Sequence, residues 1–329
     1  TFGNHEFDLG DTSDGNTALA DFVSEAHFPF VSSNVDFSND TAMKALQNNT
    51  ITSDPDNGQI YNAVIKEIDG EKVGFFGLTT EETNDIASPG STTFADYIES
   101  AEQTVTALEE KDIDKIIAVT HIGYNDNALY DNDVTLAAEV DGIDVIVGGH
   151  DHTKLSEPVL ITKDSEGNEK DPTIIVQAYQ YSEFLGTVDV EFDENGVVAG
   201  YAGQLIDVSA QTEDAEAAEM LKEYADTIEA LKSEETGATT EKELTNPRIS
   251  DEGNTNQYSV RKNETELGNL ITNSMLWAAK QKDKNVVIAM QNGGGIRSSI
   301  NAGPITVGEV MTVLPFGNTL ATMQLTGTE

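Results

Sequence analysis

Four of the five histidines stand where an imidazole could take part in chemistry. His5 lies in Gly3-Asn4-His5-Glu6-Phe7-Asp8, and His121 directly follows the apolar run 116–120. His150 and His152 lie in Gly148-Gly149-His150-Asp151-His152-Thr153, after the apolar run 143–147. An H-x-H pair in a loop can turn both rings toward one point. Neutral imidazole with amide or carboxylate oxygen suits zinc, manganese, iron or cobalt, and the chain has no cysteine to compete as thiolate. Each histidine by itself is more often a surface or capping residue; three such loops together favour a metal centre. His27, before Phe28-Pro29-Phe30, has no such surroundings and is assigned no role.

Those loops need strands to carry them. Apolar, β-rich runs occur at 30–35, 73–78, 116–120, 143–147 and 174–178. Residues 97–111 place Ile98, Ala101, Val105 and Leu108 on one helix face. Short apolar strands separated by helices predict an α/β layered domain. Ligands of such sheets bind beyond the carboxyl ends of the strands, where His121, His150 and His152 fall. Alternation over 185–208 around Asp193-Glu194-Asn195-Gly196 predicts a hairpin closing that domain.

A helix over 212–233 follows, with Thr212 as N-cap and acids at its positive end. Ala218, Leu221, Ala225 and Ile228 form its expected buried stripe. We read it as a connector between domains, the alternative being an ordinary packed helix of the first domain. A second α/β segment begins near Tyr258, with a helix over 266–281, a strand over 286–290, a glycine-rich turn and a strand over 320–327. Trp277, beside apolar neighbours on that helix, is expected in the core rather than against a substrate.

The composition bounds the partners. With 18 basic and 59 acidic side chains in 329 residues the net charge is −41. Binding a nucleic-acid polymer through a basic face is therefore excluded, and docking to anionic lipid by charge is disfavoured. At 38 % hydrophobic residues the chain can build a core, so wholesale disorder is excluded too. No apolar run approaches the ~20 residues of a membrane span. Zero cysteine removes disulfides, thiol nucleophiles and iron–sulfur clusters without fixing the compartment.

Taken together, Gly3-Asn4-His5-Glu6, the strand-end His121 and Gly149-His150-Asp151-His152 resemble the pattern of calcineurin-like two-metal phosphoesterases. The run 261–275, Asn292-Gly293-Gly294-Gly295-Ile296-Arg297 and Leu314-Pro315-Phe316-Gly317-Asn318 resemble the nucleotide-binding domain of the 5′-nucleotidase family. The resemblance covers nearly the whole chain in the expected order. It implies an α/β fold: a layered β-sandwich metallophosphoesterase domain flanked by helices over 1–210, a connector helix over 211–236, and a smaller α/β substrate-binding domain over 237–329.

By the same resemblance, two divalent metal ions such as zinc or manganese are expected. Asn4, His121 and His150 match ligands of one metal, and His152 matches the remaining ligand position of the other. His5 matches the histidine that contacts the reacting phosphate, and Asp8 the carboxylate that orients it. An imidazole paired with a carboxylate keeps a fixed tautomer and can donate to a developing oxyanion. Arg261, Asn292, Gly294, Arg297 and Phe316 match the groups that hold the nucleotide. The chain has only three arginines, and two fall in these motifs, where guanidinium can pair bidentately with phosphate. Residues 293–295 serve equally well as a structural turn.

The implied reaction is two-metal hydrolysis of nucleoside 5′-monophosphates, with other nucleotides as further candidates. A 2′,3′-cyclic-nucleotide phosphodiesterase with 3′-nucleotidase activity is the alternative within enzymes. A non-catalytic surface protein that binds nucleosides or host partners is the alternative outside them. The Asp-x-His and Gly-Asp motifs that the family carries upstream of GNHE are not in this sequence, which begins inside a motif at Thr1. The chain therefore reads as a piece of a secreted, periplasmic or cell-wall-anchored bacterial enzyme, expected to be inactive by itself.

Overall fold

A computed structural model describes residues 1–10, 13–125, 131–248, 254 and 256–326. The chain divides into two compact units, Thr1–Gln211 and Thr212–Glu329.

The first unit opens with a 3₁₀ turn, Asn4–Phe7, and helix α1 (Thr17–Glu25). Short strands β1 (Phe30–Val31) and β2 (Val35–Asp36) precede β3 (Gln47–Thr52), β4 (Ile60–Ile68) and β5 (Glu71–Thr79). After α2 (Thr83–Ile86) and β6 (Thr93–Phe94) come α3 (Tyr97–Glu109), β7 (Ile116–His121), α4 (Asp133–Glu139) and β8 (Val145–Val147). The unit ends with β9 (Val159–Lys163), β10 (Glu169–Val176), β11 (Phe184–Phe192) and β12 (Val198–Asp207).

Eight strands form one sheet in the order β1-β4-β5-β7-β8-β10-β9, with β3 also paired to β4. Its centre, β5-β7-β8-β10, is parallel, while β4 on β5 and β9 on β10 are antiparallel. Parallel strands buried on both faces must be apolar throughout. Phe76, Leu78, Ile116, Ala118, Ile146 and Ile175 meet that need and pack with Ala101, Val105 and Leu108 of α3. Helix α3 starts where the Asp96 carboxylate accepts from the Glu99 N–H at 2.8 Å. A separate two-stranded sheet is the hairpin β11–β12, closed by the expected turn at Asp193 to Gly196.

A second core holds the N-terminal turn. Phe2 and Phe7, both buried, bracket residues 3–6 and pack with Phe30, Phe37, Met43 and Ile60. Phe2 stacks on Phe30 with ring centroids 5.1 Å apart. The Thr79 hydroxyl, at the end of β5, donates to the Phe2 carbonyl at 2.9 Å.

The second unit contains α5 (Ala215–Lys232), β13 (Glu235–Thr240), α6 (Glu266–Lys280), β14 (Gly303–Thr306) and α7 (Val307–Val313). β13 and β14 pair antiparallel, and Leu267, Ile271, Ile296, Ile300, Ile305 and Val313 form a small core.

Several expectations change here. Asp214, not Thr212, caps α5, accepting from the Glu216 and Ala217 N–H groups. The apolar stripe of α5 is exposed rather than buried, with Leu221 and Ile228 both open to solvent. Helical spacing specifies which face is apolar, not that something covers it. Residues 286–290 form no strand, and Val287, Ile288 and Met290 are exposed. Their β propensity finds no paired neighbour among the described residues to take its backbone groups. Residues 320–326 likewise form no strand, and Gly327 lies outside the described residues. Trp277 is 69 % exposed, not in the core.

Candidate active site

Three adjacent parallel strands, β5, β7 and β8, end at one edge of the sheet. The register pairs Thr79 with His121 and Val119 with Val147. The residues just beyond therefore share one rim: 80–82 after β5, His121 closing β7, and 148–152 after β8. The N-terminal turn, pinned by Phe2 and Phe7, brings Asn4 to the same rim.

There the buried Asn4 amide meets two rings. His121 Nε2 lies 3.1 Å from Asn4 Oδ1, and His150 Nδ1 lies 3.2 Å from the same oxygen. The two rings stand edge to face at 5.1 Å. The flanking glycines have a definite reason. A Cβ on Gly3 would come within 2.9 Å of the His121 ring, and one on Gly149 within 3.1 Å of its Nδ1. His150 and His152 both take left-handed backbone, φ 84° and 59°, which non-glycine residues rarely adopt and which collects at functional sites. The Gly149 carbonyl holds this loop in place, accepting from Gln177 Nε2 at 2.6 Å and from the Gly123 N–H at 3.1 Å.

Burial pushes the His121 pKa down to about 3, helped by the neighbouring His150, His5 and His152. Its ring is neutral at physiological pH and offers a lone pair. Two imidazoles and an amide oxygen around one point are a donor set that fits a borderline divalent cation. Among the described residues no three His, Asp or Glu side chains are gathered for a metal; this set reaches three donors through Asn4. His152, the fourth expected ligand, packs edge-on against Tyr181 with centroids 5.4 Å apart.

His5 and Asp8 meet as the sequence suggested. His5 Nδ1 is 2.8 Å from Asp8 Oδ2. A 3₁₀ turn nearly eclipses residues three apart, so the short turn itself makes the pair. Their side chains are 48 % and 34 % exposed, a position open to a ligand. Glu6 closes the same turn, accepting from the Gly3 N–H at 2.5 Å.

Two acids that motif reading passed over also reach this rim. Glu82 Oε2 lies 3.3 Å from His150 Nε2. Asp131, buried at the entry to α4, accepts from the Thr80 hydroxyl at 2.9 Å and the Glu81 N–H at 3.1 Å. Burial raises the Asp131 pKa to about 6. Neither acid lies in a recognisable motif of a chain with 59 carboxylates.

In the second unit, a 3₁₀ turn at Gly293–Gly295 gathers the other candidate residues. The Arg261 guanidinium lies where a Cβ on Gly294 would meet it at 3.4 Å, with the Asn292 amide at 3.7 Å. Arg297 Nη1 donates to the Gly294 carbonyl at 3.2 Å, and its guanidinium lies 5.8 Å from the Phe316 ring centroid. Val313 of α7 anchors this segment by accepting from the Arg297 N–H at 2.8 Å. Two cations, an amide and an aromatic face thus share one turn.

Comparison with known proteins bears on both units. A family model described as calcineurin-like phosphoesterase matches residues 1–154, and one described as 5′-nucleotidase, C-terminal domain, matches residues 237–329. The chain is 42 % identical over 345 residues to the trifunctional nucleotide phosphoesterase protein YfkN of Bacillus subtilis, covering 99 % of this chain and 22 % of that protein. It is 31 % identical to the snake venom 5′-nucleotidase of Naja atra, covering 99 % of this chain and 59 % of the relative. The solved structure of a 5′-nucleotidase precursor from Thermus thermophilus superposes with a TM-score of 0.78 at 38 % identity, over 96 % of this chain and 58 % of the other. The chain thus spans little more than half of such relatives, and less of the first. It belongs to the 5′-nucleotidase family, in which a calcineurin-like phosphoesterase domain is followed by a 5′-nucleotidase C-terminal domain.

Proposed function

We propose that this chain contributes the working surfaces of a phosphoric ester hydrolase that cleaves nucleoside 5′-monophosphates to nucleoside and phosphate. The observation that carries this reading is the convergence of His121 and His150 on Asn4 Oδ1 at the carboxyl edge of a parallel sheet. Divalent cations, two in this reading, held by Asn4, His121 and His150 with His152 at the remaining position, would supply Lewis acidity and a nucleophilic water. With Nδ1 engaged by Asp8, His5 Nε2 is the nitrogen that would donate to a phosphoryl oxygen as its charge grows. Arg261 and Arg297 would pair with the anionic end of the nucleotide, Asn292 with the base edge, and Phe316 with the base face. Gly294 keeps that surface open.

The division of labour we infer is a hydrolytic domain over 1–210, a connector over 211–236 and a substrate domain over 237–329. No described helix is long and apolar enough to cross a membrane. The family resemblance favours an exported or surface-anchored bacterial protein. Only one of the two cation positions draws three donors from the described residues, so we expect the 329 residues alone to be inactive and hydrolysis to be measured on a longer protein containing this chain.

A 2′,3′-cyclic-nucleotide phosphodiesterase is the second reading, compatible with the trifunctional name of the 42 % identical relative. Hydrolysis of 5′-AMP and of 2′,3′-cyclic AMP, measured side by side with Mn²⁺, separates them. A clear preference for the cyclic ester overturns the first reading, and no hydrolysis of either by a longer protein containing this chain overturns both.

A further inference from the structure

His150 is held at both ring nitrogens by oxygen: Asn4 Oδ1 at 3.2 Å from Nδ1 and Glu82 Oε2 at 3.3 Å from Nε2. A neutral imidazole has one proton to donate, so only one of these contacts can be a hydrogen bond from the ring. An ionised carboxylate is a stronger acceptor than a neutral amide, since a charged partner roughly doubles the bond. The proton therefore belongs on Nε2, toward Glu82. Nδ1 then turns a bare lone pair toward Asn4 Oδ1, and two electron-rich atoms face each other across the gap that His121 Nε2 also borders.

Glu82 is built to do this. Its side chain is only 20 % exposed. Its backbone N–H donates to the Thr80 hydroxyl at 3.1 Å, and that hydroxyl donates onward to Asp131 Oδ1 at 2.9 Å. Asp131 takes the Glu81 N–H with its other oxygen, and Thr83 N–H closes the turn on the Thr80 carbonyl at 3.2 Å. A carboxylate carried by so constrained a turn, at the end of the strand beside His121, differs from a mobile surface acid.

We propose that Glu82 is a positioning residue that fixes the Nε2–H tautomer of His150, so that Nδ1 and Asn4 Oδ1 together face a divalent cation. The proposal rests on the hydrolase reading for the cation, but the tautomer is a property of the metal-free protein. It is read directly by long-range ¹H–¹⁵N NMR of the histidine rings in the metal-free full chain at pH 8, with His150 assigned by its loss in His150→Gln. The wild-type ring is expected as the Nε2–H form. Glu82→Ala should shift population to the Nδ1–H form, which donates to Asn4, and should weaken Co²⁺ binding, measured by calorimetry, about ten- to a hundredfold. Glu82→Gln, which sets a neutral amide oxygen against each ring nitrogen, should remove the preference and populate both tautomers, with Co²⁺ affinity between wild type and Glu82→Ala; a merely structural role would not give this graded response. An Nδ1–H form in the wild type overturns the proposal without recourse to any variant. So does Glu82→Ala that keeps both the wild-type tautomer and Co²⁺ affinity within twofold. Failure of the hydrolase reading looks different: Glu82 still sets the tautomer and Co²⁺ still binds, yet a longer protein containing this chain cleaves neither nucleotide ester.

Discussion

Asn4 and His121, 117 residues apart in the sequence, meet at 3.1 Å between Oδ1 and Nε2. The contact ties the N-terminal turn to the end of the central strand β7, and both partners are removed from bulk water. If this is one wall of a cation site, either truncation should act on metal before it acts on fold. His121→Ala is expected to lower Mn²⁺ affinity at least tenfold, and Asn4→Ala to act in the same direction. Added Mn²⁺ should stabilise the wild type by RT ln(1 + [Mn²⁺]/Kd) and either variant correspondingly less. Thermal unfolding across a Mn²⁺ titration checks this, and equal shifts for wild type and variants count against the site.

His5 should separate from the ligands by its kinetic signature. It pairs with Asp8 at 2.8 Å on the exposed side of the same turn. A group that donates to the reacting phosphate is needed for turnover rather than for metal. His5→Ala in a longer protein with turnover is expected to lower kcat by about 10²- to 10⁴-fold while leaving Mn²⁺ affinity near wild type. Asp8→Asn should show a smaller fall of the same kind, since the ring remains but loses its charged partner. Large metal loss in His5→Ala would mean that ligand and donor have been exchanged.

What could be read from residue order was whatever local pattern carries. The apolar runs ending at Thr120 and Val147, the stripe on α3 and the hairpin β11–β12 are short-range signals, and each forms as its spacing requires. The GNHE and GHDH loops point to the rim because glycine, amide and imidazole occur together within a few residues. Glu82 was not legible, since it meets His150 across 68 positions and nothing nearby distinguishes it from the other 58 acids. The strands β3 and β4 escaped because their polar and apolar residues alternate weakly beside stronger runs. The segment 286–290 and the stripe of α5 fail for the opposite reason: their local pattern is good, but burial depends on a partner that local pattern does not supply.

Asp144 makes stability depend on pH at a place remote from these loops. It is 8 % exposed, at the start of β8, with the Ile116 N–H donating to Oδ2 at 2.7 Å. Burial raises its pKa from 3.8 to about 7; Asp114 and Asp171 push the same way, and the Ile116 bond and Lys115 oppose. The unfolded chain therefore releases this proton near pH 4 while the folded chain keeps it until about 7. Stability from this group is fully present below about pH 4 and is lost as pH rises to about 7, by up to about 1.4 kcal/mol per pH unit. Asp144→Asn keeps an acceptor for Ile116 and removes the titration. It should match wild type near pH 3.5 and exceed it at pH 8 in urea unfolding of the first unit. Parallel curves at the two pH values would count against a raised pKa.

The glycine run at 293–295 tests whether its turn is scaffold, substrate surface or both. A Cβ on Gly293 would lie 2.6 Å from the Val260 carbonyl oxygen and 2.8 Å from Arg261 Cα, all backbone that cannot yield cheaply. A Cβ on Gly294 would instead touch only side chains, the Arg261 guanidinium at 3.4 Å and the Asn292 amide at 3.7 Å. Gly293→Ala should therefore lower the stability of the second unit by about 1–3 kcal/mol. Gly294→Ala should leave unfolding within about 0.5 kcal/mol of wild type, because flexible groups can move aside. If those groups hold the nucleotide, the displaced guanidinium and amide should raise KM for 5′-AMP severalfold with kcat little changed, since uniform binding is what is lost. Arg297→Lys provides the matching control: it removes the guanidinium that lies over the Phe316 ring and should also act mainly on KM. A Gly294→Ala protein that is stable and has unchanged KM would assign the whole run to scaffold.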